Sequence, residues 1–433
     1  MTAMRRGVMG VALCLLLVVA AAAALAQTTT IRFHYRGGGA RTEVVQAWIQ
    51  EFERQNPDIK VEWEQPTGDW QDKLIVAMAT GTAPDVVEFW GSFGQQLARN
   101  GWLLDLRPYV ERDMTEEDIA DFFPAAWEGT FVQHGPHAGE QFALPRYINT
   151  MVTYYNKTLI EQAGLETPTQ LYRRGDWTWQ TLRESSRKLT RTVDGETVQW
   201  GYMTMTRHWE RMAQFLWENG TDWFDPADPT RFTGDSPEAL EVMNFLYEMI
   251  WEEGIAYRDL DWNLFWNGQV AMQDDGIAVI FSRHDASIQD SFDWDIATRP
   301  AGPNGAVPWA TDDSLGIWAG SQHPEAAWRF IQFITSTEGQ EIMVRIEGLA
   351  PVRRSATPAF IALDDRFDLG VFIENMLTAR SGAASRVPGD IDAIGSAQAA
   401  VLRASLVNNE KPYAVAIEEA KPNIEAIVRE TAQ

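Results

Sequence analysis

Between residues 31 and 89 the spacing of apolar positions changes repeatedly, from every second residue in short segments to every third or fourth in longer ones. The first spacing marks a strand with one buried face, and the second marks an amphipathic helix. The predicted strands are 31–35, 59–63 and 85–89, and the predicted helices run from Thr42 to about Asn56 and from Asp69 to Thr80. This order predicts an α/β fold, with a mostly parallel sheet covered by helices on both faces.

The rest of the chain continues this pattern. A long extended segment is predicted over 143–155, and Gly268 to Met272 predicts a strand, with Asp274-Asp275-Gly276 as the loop after it. Further helices are predicted over 177–190, 207–219, 236–253, 324–346 and 413–431. A chain of 433 residues typically forms two or three domains. Because no Pro/Gly/Ser-rich linker separates two contiguous halves, we expect domains that share crossing strands.

The first 26 residues have the pattern of an export signal. Arg5 and Arg6 precede an uncharged apolar run over 8–25, and Ala24-Leu25-Ala26 is a small-x-small cleavage pattern. We therefore expect cleavage after Ala26 and an exported protein, in the periplasm or on the extracytoplasmic face. A membrane anchor is the alternative, because the run is nearly long enough to span a bilayer. Cys14 is preceded by Leu instead of the small residue that lipidation favours.

Composition narrows the function further. The chain carries 61 acidic against 36 basic residues, a formal charge of -25, which disfavours nucleic acid as a partner. A single Cys excludes a disulfide framework and a Cys-rich metal site. Nineteen Trp exceed what a core of this size needs. Trp48, Trp179, Trp251 and Trp328 have apolar neighbours at helical spacing and are predicted core residues.

Five segments together resemble the family 1 extracellular solute-binding proteins of ABC importers, the group with maltose- and multiple-sugar-binding proteins. They occur in the family's order, behind a predicted signal peptide. The segments are 77–87 (AMATGTAPDVV), 154–159 (YYNKTL) with 163–165 and 178–179, 268–272 (GQVAM), 324–331 (PEAAWRFI) and 335–340 (TSTEGQ). Beyond residue 355 the resemblance is loose.

The resemblance implies a two-lobe periplasmic-binding-protein-like fold of the class II type, with lobes joined by crossover hinge strands. Residues 1–26 are then the signal peptide, 27–147 with 313–365 form lobe I, and 148–312 with 366–433 form lobe II. The implied protein is a monomeric receptor that captures a mono- or oligosaccharide by hinge closure and delivers it to membrane permease subunits. Neither a cofactor nor a metal is expected.

A sugar binder needs flat aromatic rings with polar groups around them. Carried over position by position, the resemblance places candidate contacts after the first and third strands, on the crossing segment, at the start of a helix near 208 and at a second lobe crossing. The candidates are Tyr35, Arg36, Gly37, Trp90, Ser92, Arg146, Tyr147, Asn149, His208, Trp209, Glu210, Trp309, Asp312 and Asp313. For the large aromatics among them a core position is the alternative.

The sequence is also compatible with other functions. Segments 275–278 and 388–394 lack aromatics that maltose-type members carry there, which points away from maltodextrin. The excess of acidic residues and the many Trp residues would suit a cationic amine as the ligand. A glycerol-phosphate-type ligand would need clustered Arg side chains or helix N-termini in the cleft. A secreted glycosidase is less favoured, because Asp274 and Asp275 are neighbours and cannot flank a scissile bond. His134 and His137 lack a convincing third metal ligand.

Overall fold

The computed structural model describes residues 28–276, 292–382 and 387–431, so the predicted signal peptide lies outside the described residues. Strands, numbered in chain order, are β1 Thr29–His34, β2 Ile59–Glu64, β3 Val86–Trp90, β4 Leu144–Asn156, β5 Arg191–Val193, β6 Glu196–Met203, β7 Ala256–Tyr257, β8 Val270–Gly276, β9 Trp294–Ala297, β10 Trp309–Ile317 and β11 Arg380–Ser381. They form one mixed sheet in the order β2-β1-β3-β10-β4-β8-β6-β5, with β11 beside β10, β7 beside β6 and β9 beside β4.

Helices alternate with these strands and cover the sheet. The α-helices are Ala40–Gln55, Trp70–Thr80, Gly91–Arg99, Arg107–Asp113, Glu116–Ala120, Pro124–Gly129, Lys157–Gln162, Pro168–Arg174, Trp179–Leu189, Trp209–Glu218, Pro237–Tyr247, Trp262–Trp266, Pro324–Ile334, Thr337–Glu347, Thr357–Ile361, Gly370–Thr378, Ile391–Leu402 and Tyr413–Thr431. Two π-helical segments, Glu248–Glu252 and Arg403–Val407, continue the helices before them, and Arg354–Ala356 is a 3-10 turn. Apart from segment 324–346, the predicted helices begin and end within a few residues of helices in the structure.

The long strand β4 joins two halves of the sheet. Its first part, up to Thr150, pairs antiparallel with β10, and its last part, from Met151, pairs antiparallel with β8 and β9. β10 also pairs antiparallel with β3, while β1 is parallel to both β2 and β3. All thirteen residues of β4 are buried. The expectation that a strand crosses between the halves is confirmed, and β4 and β10 are called the crossing strands below.

Two local predictions are wrong. The single helix predicted over 324–346 is two helices, because Ser336 interrupts the first and caps the second by accepting a hydrogen bond from the Gly339 N–H at 3.2 Å. The loop predicted at Asp274-Asp275-Gly276 is the end of β8. Asp274 is fully buried there, accepts a 2.7 Å hydrogen bond from Thr153 and pairs with Arg299. An ion pair and the ladder of β4 therefore continue the strand through these acids.

The hydrophobic cores contain most of the Trp residues that were predicted to be buried. Trp48 and Trp328 are fully buried, and Trp179 is nearly so. The Trp48 indole N–H donates to the Gly339 carbonyl at 2.8 Å and so ties the first helix to the helix after Ser336. Trp251 is only partly buried and donates to the Leu406 carbonyl at 2.9 Å. Helices in the described ranges are all too short or too polar to cross a membrane.

Candidate functional site

A cavity of about 520 Å³ opens between the end of β3 and the segment before helix Ile391–Leu402. It is lined by residues from four places in the chain. These are Gln71; Trp90, Ser92, Phe93, Gln96, Arg99 and Asn100; His134, Gly135 and Pro136; and Pro388, Gly389, Asp390, Ile391 and Asp392. Residues nearly three hundred positions apart in sequence thus line one concave surface. Ligand sites in proteins are often concave surfaces of this kind.

The wall on the β3 side follows from the local sequence. β3 ends at Trp90 and the helix Gly91–Arg99 begins at the next residue, so its first turn starts at the edge of the sheet. Ser92, Gln96 and Arg99 are spaced by four and three residues and therefore share one helix face. Gly94 allows this helix to lie close to the sheet, because a Cβ there would come within 2.5 Å of the Phe89 ring. Polar groups on this face border the cavity beside the indole of Trp90.

The opposite wall is formed by the N-terminus of helix Ile391–Leu402, which packs against helix Trp209–Glu218. Asp390 caps helix Ile391–Leu402 by accepting a 3.0 Å hydrogen bond from the Ala393 N–H. Ile394 in the next turn is fully buried in the hydrophobic cluster of helix Trp209–Glu218. Gly389 has φ +103, a conformation that favours glycine and turns the chain into the helix. The segment 388–392 is therefore held by the hydrophobic cluster that contains helix Trp209–Glu218.

Arg99 connects the two walls. Its guanidinium donates to the Gly389 carbonyl at 3.2 Å. Burial lowers the pKa of Arg99, and the charge of Asp390 partly opposes that effect. The guanidinium therefore bridges the cavity, from helix Gly91–Arg99 to the segment before helix Ile391–Leu402.

Trp90 lies in an aromatic group at the end of β3. Its ring meets that of Trp70 edge to face, with centroids 5.3 Å apart and an interplanar angle of 87°. Phe93 is the next aromatic neighbour, at 6.0 Å. The Arg36 guanidinium carbon lies 4.9 Å from the Trp90 ring centroid, within cation–π distance. A flat aromatic surface at the cavity wall is suited to the C–H face of a sugar.

A network of buried and half-buried charges lies directly behind this group. Arg36 binds Glu88 through two hydrogen bonds of 2.9 and 2.7 Å and donates to Asp313 at 2.9 Å. Arg146, fully buried, lies 3.1 Å from Asp313. The network consists of Arg36, Arg41, Arg146, Glu88, Asp313 and Glu347. Three positive and three negative groups compensate one another, which is what allows them to be buried.

The pKa of Glu88 reflects this balance. Burial of its carboxylate acts to raise the pKa, but the hydrogen bonds and charge of Arg36, together with the charges of Arg146 and Arg41, outweigh it. The pKa falls to about 2. Glu88 is therefore ionised at neutral pH, as the network requires.

A second cavity of about 300 Å³ adjoins the first at His134. Three carboxylates and the ring of Phe224 are among its lining groups. Its lining is Glu128, Gln133, His134, Asp222, Phe224, Asp225, Pro226, Pro229, Arg380, Ser381 and Val387. Arg380 lies 3.5 Å from Asp222 and 4.9 Å from the Trp217 ring centroid, so its charge is partly occupied. Two adjoining cavities offer room for a ligand longer than a single ring.

The structure brings some of the predicted site residues together. Trp90 and Ser92 border the larger cavity. Arg36, Arg146 and Asp313 belong to the charge network behind it. Trp90, Asp313 and Arg146 lie on β3, β10 and β4, Arg36 lies in the turn after β1, and Ser92 lies in the first turn of helix Gly91–Arg99, so all five are near one edge of the sheet.

Four predicted aromatics lie instead in hydrophobic clusters. Tyr35 is fully buried and packs edge to face on Trp48, and Tyr147 is 5% exposed. Trp209 and Trp309 are 7% and 4% exposed within the cluster of helix Trp209–Glu218. Neither described cavity includes them in its wall. For these residues the core alternative agrees with their burial.

The remaining predicted residues are scattered. Gly37 faces Trp63 and Gln65, and a Cβ there would come within 2.7 Å of both side chains. Asn149 lies on β4 close to Gly276. His208 is exposed and precedes helix Trp209–Glu218, in which Glu210 is half-buried. Asp312 lies opposite Ile148 in the pairing of β10 with β4, and its side chain lies outside the described residues.

Sequence reasoning missed several residues that line the larger cavity. Phe93, Gln96 and Arg99 were absent from the predicted site, although they follow Trp90 at helical spacing. That spacing after a strand end is the signal that would have found them. Asp390 and Asp392 were noted only as replacing an aromatic.

Among residues 28–276, 292–382 and 387–431, no group of three or more His, Cys, Asp or Glu side chains is placed to hold a metal ion. His137 pairs instead with Glu140 at 3.1 Å.

Proteins of similar sequence are binding proteins. The maltotriose-binding protein of Pyrococcus abyssi is 24% identical over 308 residues, covering 68% of this chain and 60% of that protein. The mannitol-binding protein of Pseudomonas aeruginosa is 26% identical over 322 residues, covering 70% of this chain and 68% of that protein. Both relationships extend over most of the described fold.

A solved structure has the same fold. The sugar-binding protein MalE of Xanthomonas citri superimposes with a TM-score of 0.78 at 24% identity, covering 93% of this chain and 98% of that one. The expected two-lobe α/β fold is thereby confirmed. The family model described as bacterial extracellular solute-binding protein matches residues 38–341, more than half of the chain. This chain therefore belongs to the bacterial extracellular solute-binding protein family.

Proposed function

We propose that the protein is an exported receptor of an ABC importer that captures a mono- or oligosaccharide in the cavity between Trp90 and segment 388–392. The observation that carries this proposal is the cavity itself, where an aromatic ring stands among hydroxyl, amide and charged groups from both halves of the fold. Such a wall matches the apolar face and the hydroxyl rim of a sugar. The relatives named for maltotriose and mannitol support the same ligand class.

Closure about the crossing strands would then shift an equilibrium between an open and a closed form, because ligand contacts both walls only when they are close. The closed form would be the one that permease subunits recognise. We further propose that the receptor acts as a monomer, which size-exclusion chromatography with light scattering can test.

The charges around the cavity disfavour a phosphate ligand. Arg99 is the one guanidinium among its described lining residues, and it already donates to Gly389. Asp390 and Asp392 bring negative charge to the opposite wall. A glycerol-phosphate-type ligand needs clustered positive donors. The same two acids keep a cationic amine as the second candidate, boxed by Trp90 and Phe93.

We propose no catalytic step. The adjacent acids Asp274 and Asp275 lie on β8, where successive side chains point to opposite faces. Asp274 is occupied by Arg299, Thr153 and Tyr202. A glycosidase requires two carboxylates that face one bond from opposite sides. Absence of aryl-glycoside hydrolysis is the expected result for the purified protein.

Export follows from the predicted signal peptide. We propose cleavage after Ala26, so that the mature chain begins at Gln27 and is released to the periplasm or the extracytoplasmic face. Mass spectrometry of the protein secreted from a bacterial host tests this. An intact N-terminus that stays with the membrane fraction would instead support the anchor alternative.

Thermal shift measurements test the ligand class. We would compare sugars and sugar alcohols, amines and phosphodiesters, and expect a carbohydrate to raise the melting temperature. A ligand at a hundred times its Kd stabilises by about 2.7 kcal/mol. Trp90→Phe should lower the affinity for that ligand. Trp251→Phe, which changes a Trp outside both cavities, should leave the affinity unchanged. The proposal fails if only amines or phosphodiesters stabilise the protein.

A further inference from the structure

Arg36 fills the angle between two Trp rings. Its guanidinium carbon lies 4.9 Å from the ring centroid of Trp90 and 5.7 Å from that of Trp70. Of these two rings, that of Trp90 lines the larger cavity. A cation over an aromatic face is attracted to it and also occupies it.

The position of this guanidinium is fixed by its anions. Glu88 and Trp90 are two residues apart on β3, so their side chains leave the same face of the strand. Arg36 spans the two, holding the buried Glu88 carboxylate through two donors at 2.9 and 2.7 Å while it covers the Trp90 ring. Paired hydrogen bonds of this kind set the plane of a guanidinium as well as its place.

The same guanidinium is tied to the crossing strands. Asp313 on β10 lies directly opposite Trp90 on β3 and accepts a hydrogen bond from Arg36 at 2.9 Å. Asp313 also accepts from Arg146 on β4 at 3.1 Å. Through this one carboxylate, Arg36 contacts groups from both strands about which the two halves of the fold are joined.

We propose that Arg36 is a positioning residue that holds the indole of Trp90 against the cavity and links its orientation to the crossing strands. Arg36 touches one face of the ring, and a ligand in the cavity meets the rest. Movement of β10 against β3 changes the Arg36–Asp313 contact and, with it, the ring that meets the ligand. Only one part of this proposal rests on the proposed function, namely that a ligand occupies the cavity beside Trp90.

Arg41 provides a matched control. It belongs to the same network, 3.0 Å from Glu347 and 3.7 to 3.8 Å from Asp313 and Glu88. Its side chain is about as exposed as that of Arg36, at 29% against 23%. Of these two arginines, only Arg36 lies over the Trp90 ring. Loss of either charge disturbs the network, but only loss of Arg36 releases the indole.

The test compares Arg36→Met and Arg41→Met, each alone and combined with Trp90→Phe. For the parent and for each arginine variant, the near-ultraviolet circular dichroism of Trp90 is obtained by subtracting the spectrum of the same protein with Trp90→Phe. This signal depends on how rigidly the indole is held. We expect Arg36→Met to remove most of that signal and Arg41→Met to retain it. Arg36→Lys, which keeps the charge but not the paired donors, serves if Arg36→Met does not fold, and should also weaken the signal.

Calorimetric titration with maltotriose and with mannitol completes the test. We expect Arg36→Met to lower the affinity for whichever compound binds the parent, by about fivefold. Adding Trp90→Phe should lower that affinity little further, because the two residues act as a unit. An unchanged Trp90 signal in Arg36→Met, or an equal loss in Arg41→Met, overturns the inference. If neither compound binds the parent, the sugar assignment loses support, while the dichroism comparison still decides the role of Arg36.

Discussion

Arg146 on β4 and Asp313 on β10 pair at 3.1 Å beside the β-bulge that follows Asp313. Arg146 is fully buried and lies next to Tyr147, the residue that faces Asp313 across the two strands. A buried guanidinium is tolerated only with acceptors around it, and Glu347 at 3.3 Å is a second one. The pair therefore fastens the two crossing strands to each other at the end of β3.

Loss of Arg146 should destabilise the fold strongly. Arg146→Met fills a similar volume but leaves Asp313 and Glu347 with less compensation, and removing one partner of a buried pair costs about 3–5 kcal/mol. Urea unfolding at neutral pH measures this. Arg345→Met, which removes an exposed partner of Glu341 at i,i+4, should cost less than about 0.5 kcal/mol. Equal effects would show that burial of the pair does not matter.

Stability should fall in acid through Glu88. Its pKa is about 2 in the folded protein, against the ordinary value of 4.5 for a glutamate in the unfolded chain. As the pH falls, the carboxylate is therefore protonated first in the unfolded chain. The stabilisation is complete above pH 4.5 and is lost progressively toward pH 2, on the order of 3 kcal/mol in total. Chemical unfolding from pH 6 to pH 3 measures the slope. Glu88→Gln should flatten it, whereas Glu341→Gln should leave it unchanged.

Glu210 should show the opposite dependence. Burial, opposed by Arg211 and reinforced by the charge of Asp392, raises its pKa from 4.5 to about 7. The unfolded chain therefore loses this proton first as the pH rises, and stability falls between pH 4.5 and 7. Glu210→Gln should match the parent near pH 4 and be more stable above pH 7, by about 1–3 kcal/mol. The exposed Glu196→Gln change is the control, and a constant difference at every pH would contradict the assignment.

Removal of Arg99 should loosen the wall opposite Trp90. Its hydrogen bond to the Gly389 carbonyl is a contact between helix Gly91–Arg99 and the segment before helix Ile391–Leu402. In Arg99→Ala, amide hydrogen exchange in segment 389–394 should accelerate, because that segment loses a partner from the other half of the fold. Arg54→Ala removes an arginine that is 68% exposed and should leave this exchange unchanged. Identical exchange in both variants and the parent would mean that the bond does not hold the segment.

Much of the fold was predictable because its signals are local. The strands at 59–63 and 85–89 and the helix that ends at Thr80 lie within a residue of their predicted places. The helix break at Ser336 was missed, since the apolar pattern continues across it while the cap depends on a single hydroxyl. Asp274 was placed in a loop because a carboxylate in a buried strand needs a partner, and Arg299 is 25 residues away.

Trp90 and Ser92 were placed in the candidate site because Trp90 ends a strand and Ser92 comes two residues later, where the edge of a sheet presents side chains to a cleft. Arg99 and segment 388–392 were not grouped with them, since the bond that joins them spans 290 residues. Trp209 and Trp309 carry the same ring as Trp90 but lie within a hydrophobic cluster. Neighbouring residues in sequence do not distinguish the two outcomes.

Local signals in the sequence were enough to predict the α/β alternation, the shared strands and the family, because periodicity, caps and short motifs act over a few residues. Which aromatic borders the cavity and which charges lie behind it became apparent only in the folded chain. Burial and ion pairing depend on what packs against a side chain from distant parts of the sequence. Glu88, Arg146 and Asp313 are far apart in sequence and become one network only when β3, β4 and β10 are adjacent.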